Sequence, residues 1–329
     1  MQRLSLILAG VLGAQLVLAL ALSLSGSDHA SFKAKEPLLA FDANAVDRID
    51  IDESGAGSVT LTRRDGVWVV PSMADFPADG LRVAAFLSRL ADLKKGWAAA
   101  TSAEASGRFK VGEESHERRI LLRKGEKTVA ELLLGTSPSF RQVHARAGGE
   151  PNIYSIQFAN YDVGTRGEDW MNRDVLGVPD DKIASISIGD LRLDRKDGRF
   201  VVAGLADGET QKGSEVWRLA GAVAHPAFDA VQGKGADALA KVNGPDIEVS
   251  IGNTDGSTVL LKYKKEAAGG AYLFASSASD YLYRVAEPAI QPLLKAKRET
   301  LVEAKKHESD GAQATGKHED TPGAKSSGG

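Results

Sequence analysis

Residues 61–70 read LTRRDGVWVV and residues 193–202 read LDRKDGRFVV, two runs in which apolar and polar positions alternate on either side of an Asp-Gly pair. Alternation of this kind gives a strand one apolar and one wet face. Asp65-Gly66 and Asp197-Gly198 can both adopt positive φ, which predicts two-residue hairpin turns. The register then sets Arg63 opposite Trp68 and Leu61 opposite Val70, and in the second run Arg195 opposite Phe200 and Leu193 opposite Val202. On the other face the second hairpin carries Arg192, Asp194, Lys196 and Arg199. The two runs share six of ten residues, and their flanks correspond: Val46, Ile49 and Ile51 match Ile183, Ile186 and Ile188. The period of about 130 residues is too long for a solenoid and indicates a duplicated domain. Trp68 and Phe200 are expected at equivalent buried positions, each with an arginine stem lying on its ring.

Helical spacing follows each hairpin. Val83, Phe86, Leu87 and Leu90 form one apolar stripe, with Lys94 and Lys95 at the C-terminal end of the dipole and Gly96 as the stop. In the second copy the stripe is Val216, Leu219, Ala220 and Val223, closed by Pro226. Further strands are expected at 119–122, 129–134, 142–146 and 152–156, then at 247–251, 258–262, 271–275 and 281–285. The fold class is α+β, with two tandem copies of a mainly antiparallel sheet-plus-helix module after one N-terminal transmembrane helix. Residues 162–181 join the copies, with Trp170, Val175 and Leu176 buried at the junction. Residues 289–306 read as a terminal helix.

The ends of the chain differ from its middle. Residues 4–24 are a 21-residue apolar run, long enough as a helix to cross a hydrocarbon core of about 30 Å. It is read as a membrane anchor or a signal segment within residues 1–24, followed by a linker at 25–38, the first module at 39–165, the second at 166–301 and a polar, disordered tail at 302–329. Forty-one basic and 44 acidic residues leave a formal charge of −3, which gives no general attraction to nucleic acid. The chain has no cysteine, so disulfides, thiolate metal sites and thiol nucleophiles are excluded.

Chemistry is sparse. His29, His116, His144 and His225 stand singly, His307 and His318 lie in the tail, and no H-E-x-x-H, G-x-S-x-G or G-x-x-x-x-G-K occurs. Acid pairs such as Asp50/Asp52 and Asp180/Asp181 suit exposed strands and loops as well as they suit a glycosidase. Gly233-Lys234-Gly235-Ala236-Asp237-Ala238 matches G-x-G-x-x-A in letters, and with a helix expected before it and no strand it reads as a mobile loop. Tyr272, Tyr281 and Tyr283 cluster near the C-terminus, as core packing or as an aromatic ligand or interface surface.

The N-terminal apolar run, the "RRDGVWVV" hairpin followed by a helix, the "ELLLG" strand, "VHAR" then "IYSI", and "WMNRDVLGVPDDKIASISI" together resemble the bacterial domain-of-unknown-function family 4340, over roughly residues 39–301. The resemblance implies a membrane-anchored protein, often encoded beside ABC transporters of the gliding-motility-associated type, with its main domain in the periplasm. It supplies no catalytic residues, and residues 108–112 replace the family's tyrosine-glycine-leucine turn.

The expectation is a non-enzymatic accessory or scaffold subunit of an ABC transporter or envelope complex. It would be single-pass in the bacterial inner membrane, with an ABC transporter permease or auxiliary subunits as partners and no cofactor, metal or nucleic acid. The alternatives are a periplasmic binding module for glycan, peptidoglycan or peptide, favoured by a groove lined with Tyr272, Tyr281 and Tyr283, and an unrecognised hydrolase.

Overall fold

A computed structural model describes residues 36–305, apart from 97 and 268, together with the single residue Gln15. Apart from Gln15, the apolar run at 4–24 lies outside the described residues, as does the tail beyond 305. No described helix is long and apolar enough to cross a membrane.

In the first half, Arg48–Glu53 (β1), Gly57–Arg64 (β2), Val67–Val70 (β3) and Phe76–Pro77 (β4) lead into the helix Gly80–Ala91 (α1). Then come Ala98–Ala100 (β5), the short helix Ser106–Phe109 (α2), Arg118–Lys124 (β6), Lys127–Leu134 (β7), Gln142–Ala147 (β8) and Ile153–Gln157 (β9). The second half repeats the plan: Ile183–Ile188 (β10), Leu191–Lys196 (β11), Arg199–Val202 (β12), Glu209–Gln211 (β13), Gly213–Ala224 (α3), Ala230–Lys234 (β14) and Ala236–Leu239 (α4). It continues through Ile247–Asn253 (β15), Thr258–Lys265 (β16), Ala271–Ser276 (β17), Tyr281–Ala286 (β18), Gln291–Leu294 (α5), Arg298–Leu301 (α6) and Val302–Ala304 (β19).

The first sheet has the order β4-β3-β2-β1-β6-β7-β8-β9-β5 and the second β12-β11-β10-β15-β16-β17-β18-β14. Setting β1 on β10 makes the two orders coincide from β3 to β5, with all pairs antiparallel. Two copies of one topology therefore follow each other in the chain.

Local chemistry explains why each copy begins as it does. Asp65 and Gly66 have φ of 49° and 83°, and Asp197 and Gly198 have φ of 48° and 77°, the twist-matched geometry of a two-residue hairpin. Arg63 pairs with Trp68, Arg195 with Phe200 and Leu193 with Val202. The helices then cover one face of each sheet. Val83, Phe86, Leu87 and Leu90 of α1 are buried, as are Val216, Leu219, Ala220 and Val223 of α3. The other face of the first sheet is polar over β1, β2 and β6, and on that side each sheet is covered in part by a short helical segment. In the first half α2 and its flanks pack on Val111, Leu133 and Ile153; in the second, α4 and its flanks pack on Val242, Ala275 and Leu282.

The close approach of α2 to its sheet fixes Gly135, where a Cβ would stand 1.9 Å from the Phe109 carbonyl oxygen and 2.5 Å from that of Lys110. Both are backbone atoms, so relief requires moving the segment. Gly135→Ala is expected to destabilise by about 1–3 kcal/mol, the usual range for overpacking, whereas Gly107→Ala on α2, which meets nothing within 4 Å, should be near neutral. Thermal unfolding of the two variants checks the contrast.

Several expectations are corrected. Phe200 is only partly buried at the rim of its core, while Trp68 is 8% exposed, so the register is shared and the depth is not. The arginine lies over the ring only in the second copy, with Arg195 5.2 Å from the Phe200 centroid; Arg63 instead donates to the Gly66 carbonyl at 3.3 Å. Helix α1 stops at Ala91, before Lys94 and Gly96: the Asp92 N–H still bonds back to Ser88, but the Leu93 N–H turns to Leu90 and Leu93 is drawn into the core. Lys94 forms a bridge with Pro37, and Leu38 is buried, so the end of the expected 25–38 linker is part of the fold.

At the junction Trp170 and Leu176 are buried, but Val175 is 37% exposed. Trp170 belongs to the first core and Met171 to the second, so the two cores meet within this segment. Residues 289–306 do not form one helix. The run is divided into three short helical segments, Glu287–Ile290 and Gln291–Leu294, each with a proline in its first turn, and Arg298–Leu301; Val302–Ala304 is extended and pairs with β13, so the second module passes the expected end at 301. Gly233 and Lys234 lie at the end of strand β14, with α4 after them, so this segment is neither a loop nor preceded by a helix. Its strand is antiparallel at a sheet edge, unlike the parallel strand of a dinucleotide fold.

Candidate functional site

The three tyrosines singled out by the sequence lie on neighbouring strands, Tyr272 on β17 and Tyr281 and Tyr283 on β18. Tyr272 is 5% exposed and Tyr283 fully buried, so they do not line a common groove. Tyr283 stacks on Phe274 with centroids 5.0 Å apart, and its hydroxyl lies 2.7 Å from the Ser279 hydroxyl. Burial raises the Tyr283 phenol to about 12 against the opposing hydrogen bond from Ser279, so it stays a neutral core group across the physiological range.

Tyr281 has a different task. Its hydroxyl donates to the carbonyl oxygens of Ala74 at 3.1 Å and Asp75 at 3.0 Å, both in the first half. Ala74 and Asp75 have φ of 56° and 59°, two consecutive left-handed residues that aim their carbonyls at one donor and turn the chain so that Phe76 leaves its own half. Phe76 is fully buried in the second core. Its ring meets those of Tyr281, Phe228 and Tyr283 edge-on at 4.9, 5.8 and 6.0 Å, and Lys234 sits 4.8 Å from the Tyr281 centroid. This aromatic joint holds the two modules together. Its sequence signal was missed because Phe76 lies in a two-residue strand after a turn, where no periodicity marks it.

The polar face of the first sheet carries an ion-pair row. Asp50 accepts from Thr60 at 2.7 Å, Arg48 at 2.9 Å and Arg123 at 2.8 Å. Burial alone would raise its carboxyl, but these donors outweigh it and hold the group below the ordinary value of 3.8. A carboxyl depressed in the folded state stabilises above its unfolded value and loses that contribution as pH falls through the folded one. Asp50→Asn should therefore lower the melting temperature near neutrality and flatten its decline below about pH 4, as read from thermal melts across pH.

His116 and His144 are committed within the fold. His116 is 8% exposed; its Nε2 is 2.6 Å from Asp52 Oδ2 and its Nδ1 is 3.3 Å from the Gly112 carbonyl oxygen. A ring with both nitrogens so engaged has none left to meet a substrate. His144 Nδ1 lies 2.9 Å from both the Thr136 hydroxyl and the Thr136 carbonyl oxygen. Among the described residues no three His, Asp or Glu side chains come together as metal ligands would. The structural markers Arg63, Asp65, Gly66, Trp68, Arg195, Asp197, Gly198 and Phe200 all lie on the paired hairpins, and none of them lines the groove beside Gly189.

One asymmetry between the copies leaves an opening. Gly57 at the start of β2 has Thr165 within 3.8 Å of a built Cβ, whereas Gly189, its counterpart before β11, has nothing within 4 Å. The second copy accordingly has an open groove of about 730 Å³, with an apolar floor from Ile188, Leu191, Ile247 and Leu293 and a rim including Asp190 and Lys297.

A profile described as Domain of unknown function (DUF4340) matches residues 68–242, from the Trp68 strand of the first hairpin to the segment that covers the outer face of the second sheet. The chain belongs to that family. The matched region crosses the aromatic joint, so the family's unit comprises parts of both copies and is not a single repeat. No curated protein and no solved structure matches the chain.

Proposed function

We propose that this family member is a non-enzymatic, membrane-tethered accessory or scaffold subunit on the extracytoplasmic side, acting within an ABC transporter or envelope complex. The apolar run at 4–24 supplies the tether and directs the rest of the chain outward. The observation that carries the reading is the engagement of the groups best suited to catalysis inside the fold. Both nitrogens of His116 have partners, Asp50 is held by three donors, and Tyr283 is a core residue. By contrast, Leu81, Phe140, Tyr161 and Trp217 are 85%, 82%, 68% and 77% exposed, and such large side chains at a surface suit association. Confinement beside a membrane raises effective concentration, so a contact of modest area suffices.

A mild-detergent pull-down of the intact chain, read against one lacking residues 1–24, tests this. A transporter permease recovered with the intact chain alone supports the proposal; recovery of no membrane protein by either sinks it. The groove beside Gly189 favours a second reading, a periplasmic module for glycan or peptide, which saturable binding of peptidoglycan fragments lost on Leu191→Arg would support.

A further inference from the structure

Phe140 and Tyr161 lie on two segments that meet at the buried Phe158, whose N–H donates to the Arg141 carbonyl. Phe140 sits at the tip of a tight turn in which the Gln142 N–H donates to the Ser139 carbonyl at 3.1 Å and the Ser139 hydroxyl donates to the Gln142 side chain at 3.0 Å. Arg141 adopts φ of 55° there, a conformation costly for a residue with a side chain. The strain presents a ring to water, where it adds nothing to the core. The Arg141 guanidinium lies 5.3 Å from the Phe140 centroid, and the Arg141 carbonyl accepts from the Phe158 N–H at 3.1 Å. Arg89 lies 4.3 Å from the Phe158 centroid and pairs with Asp162 at 2.6 Å, next to Tyr161. Two exposed aromatic rings and two arginines thus share one end of the first module.

The chain joins the fold close by. The Leu38 N–H donates to the Leu93 carbonyl at 2.8 Å and the Lys95 N–H to that of Glu36 at 2.9 Å. Arg89 is two residues before the end of α1 and Leu93 two residues after it, so the junction lies beside that end of the helix. Residues 25–35 separate the apolar run from Glu36 and carry Lys33 and Lys35. Fully extended, that stretch spans roughly 40 Å at most, so an anchored chain holds this end of the first module near the bilayer.

We propose that Phe140, Arg141 and Tyr161 form a patch that seats on the anionic lipid surface of the bilayer holding the chain's own apolar run. The inference rests on the tethered reading above. Aromatic rings settle at the level of lipid headgroups, and arginine pairs with their phosphates. The tether sets where the protein is; the patch sets which way it faces.

The absence of cysteine allows a direct test, because Phe140→Cys, Tyr161→Cys and, as a reference, Val67→Cys each create a unique site for a nitroxide label. Val67 is 53% exposed and lies on β3, with four strands between it and β8. Each full-length variant is placed in phosphatidylethanolamine–phosphatidylglycerol vesicles, its fold checked by thermal melting and its membrane attachment by flotation. The expected result is a label more accessible to oxygen than to a nickel chelate at 140 and 161, the reverse at 67, and a return of the first two to water on Arg141→Glu. Flotation with labels at 140 and 161 as wet as that at 67 overturns the patch and leaves the tether standing. A chain that does not float overturns both. Labels that are immobilised in native membranes but wet in lipid vesicles assign the face to a protein partner and also overturn the proposal.

Discussion

Phe76→Ala lowers the stability of the protein by about 3–5 kcal/mol, as expected for a fully buried aromatic side chain. The loss falls on both halves, since Phe76 belongs to the chain of the first and to the core of the second. Truncation empties the space between Phe228, Tyr281 and Tyr283, and the modules then unfold with less mutual support. Tyr281→Phe removes only the hydroxyl that reaches the Ala74 and Asp75 carbonyls and should cost about 1 kcal/mol. Denaturant unfolding followed by separate probes in each half checks the difference: one shared transition in the unmodified protein, and two separated transitions after Phe76→Ala.

Trp68→Ala should likewise cost about 3–5 kcal/mol, and Phe200→Ala clearly less, although the two aromatics hold the same place in the repeat. Trp68 is packed within the first core. Phe200 lies at the rim of the second, part of its ring covered by the flexible Arg195 side chain, so its removal opens little enclosed volume. Equal costs would show that depth does not govern the repeat. Chemical denaturation of both single variants decides the matter.

The hairpins, the helix stripes and the strand positions were legible in the sequence because each depends on residues close together in the chain. An Asp-Gly turn and an alternating run specify their own geometry, and four apolar residues at helical spacing specify a face. Events between distant segments were not legible. The left-handed pair Ala74 and Asp75 carries no glycine to announce it, and Phe76 reads as one apolar residue in a polar stretch. The strand Val302–Ala304 was hidden because its partner, Glu209–Gln211, is about 90 residues away and neither alternates strongly. Tyr272, Tyr281 and Tyr283 were visible as a cluster, but which of them is core and which a joint depends on Phe76. The groove beside Gly189 arises from what the second copy lacks opposite that residue, which no local pattern records.

The central claim is that this family member acts through association and not through turnover, and complementation of a deletion strain by full-length variants tests it most directly. His116→Gln and Asp52→Asn remove the close His116–Asp52 imidazole–carboxylate pair and, provided the fold persists by thermal melting, should reverse the deletion phenotype as the unmodified chain does. Loss of complementation by either variant, with fold and complex recovery intact, would contradict the account and point to an enzyme.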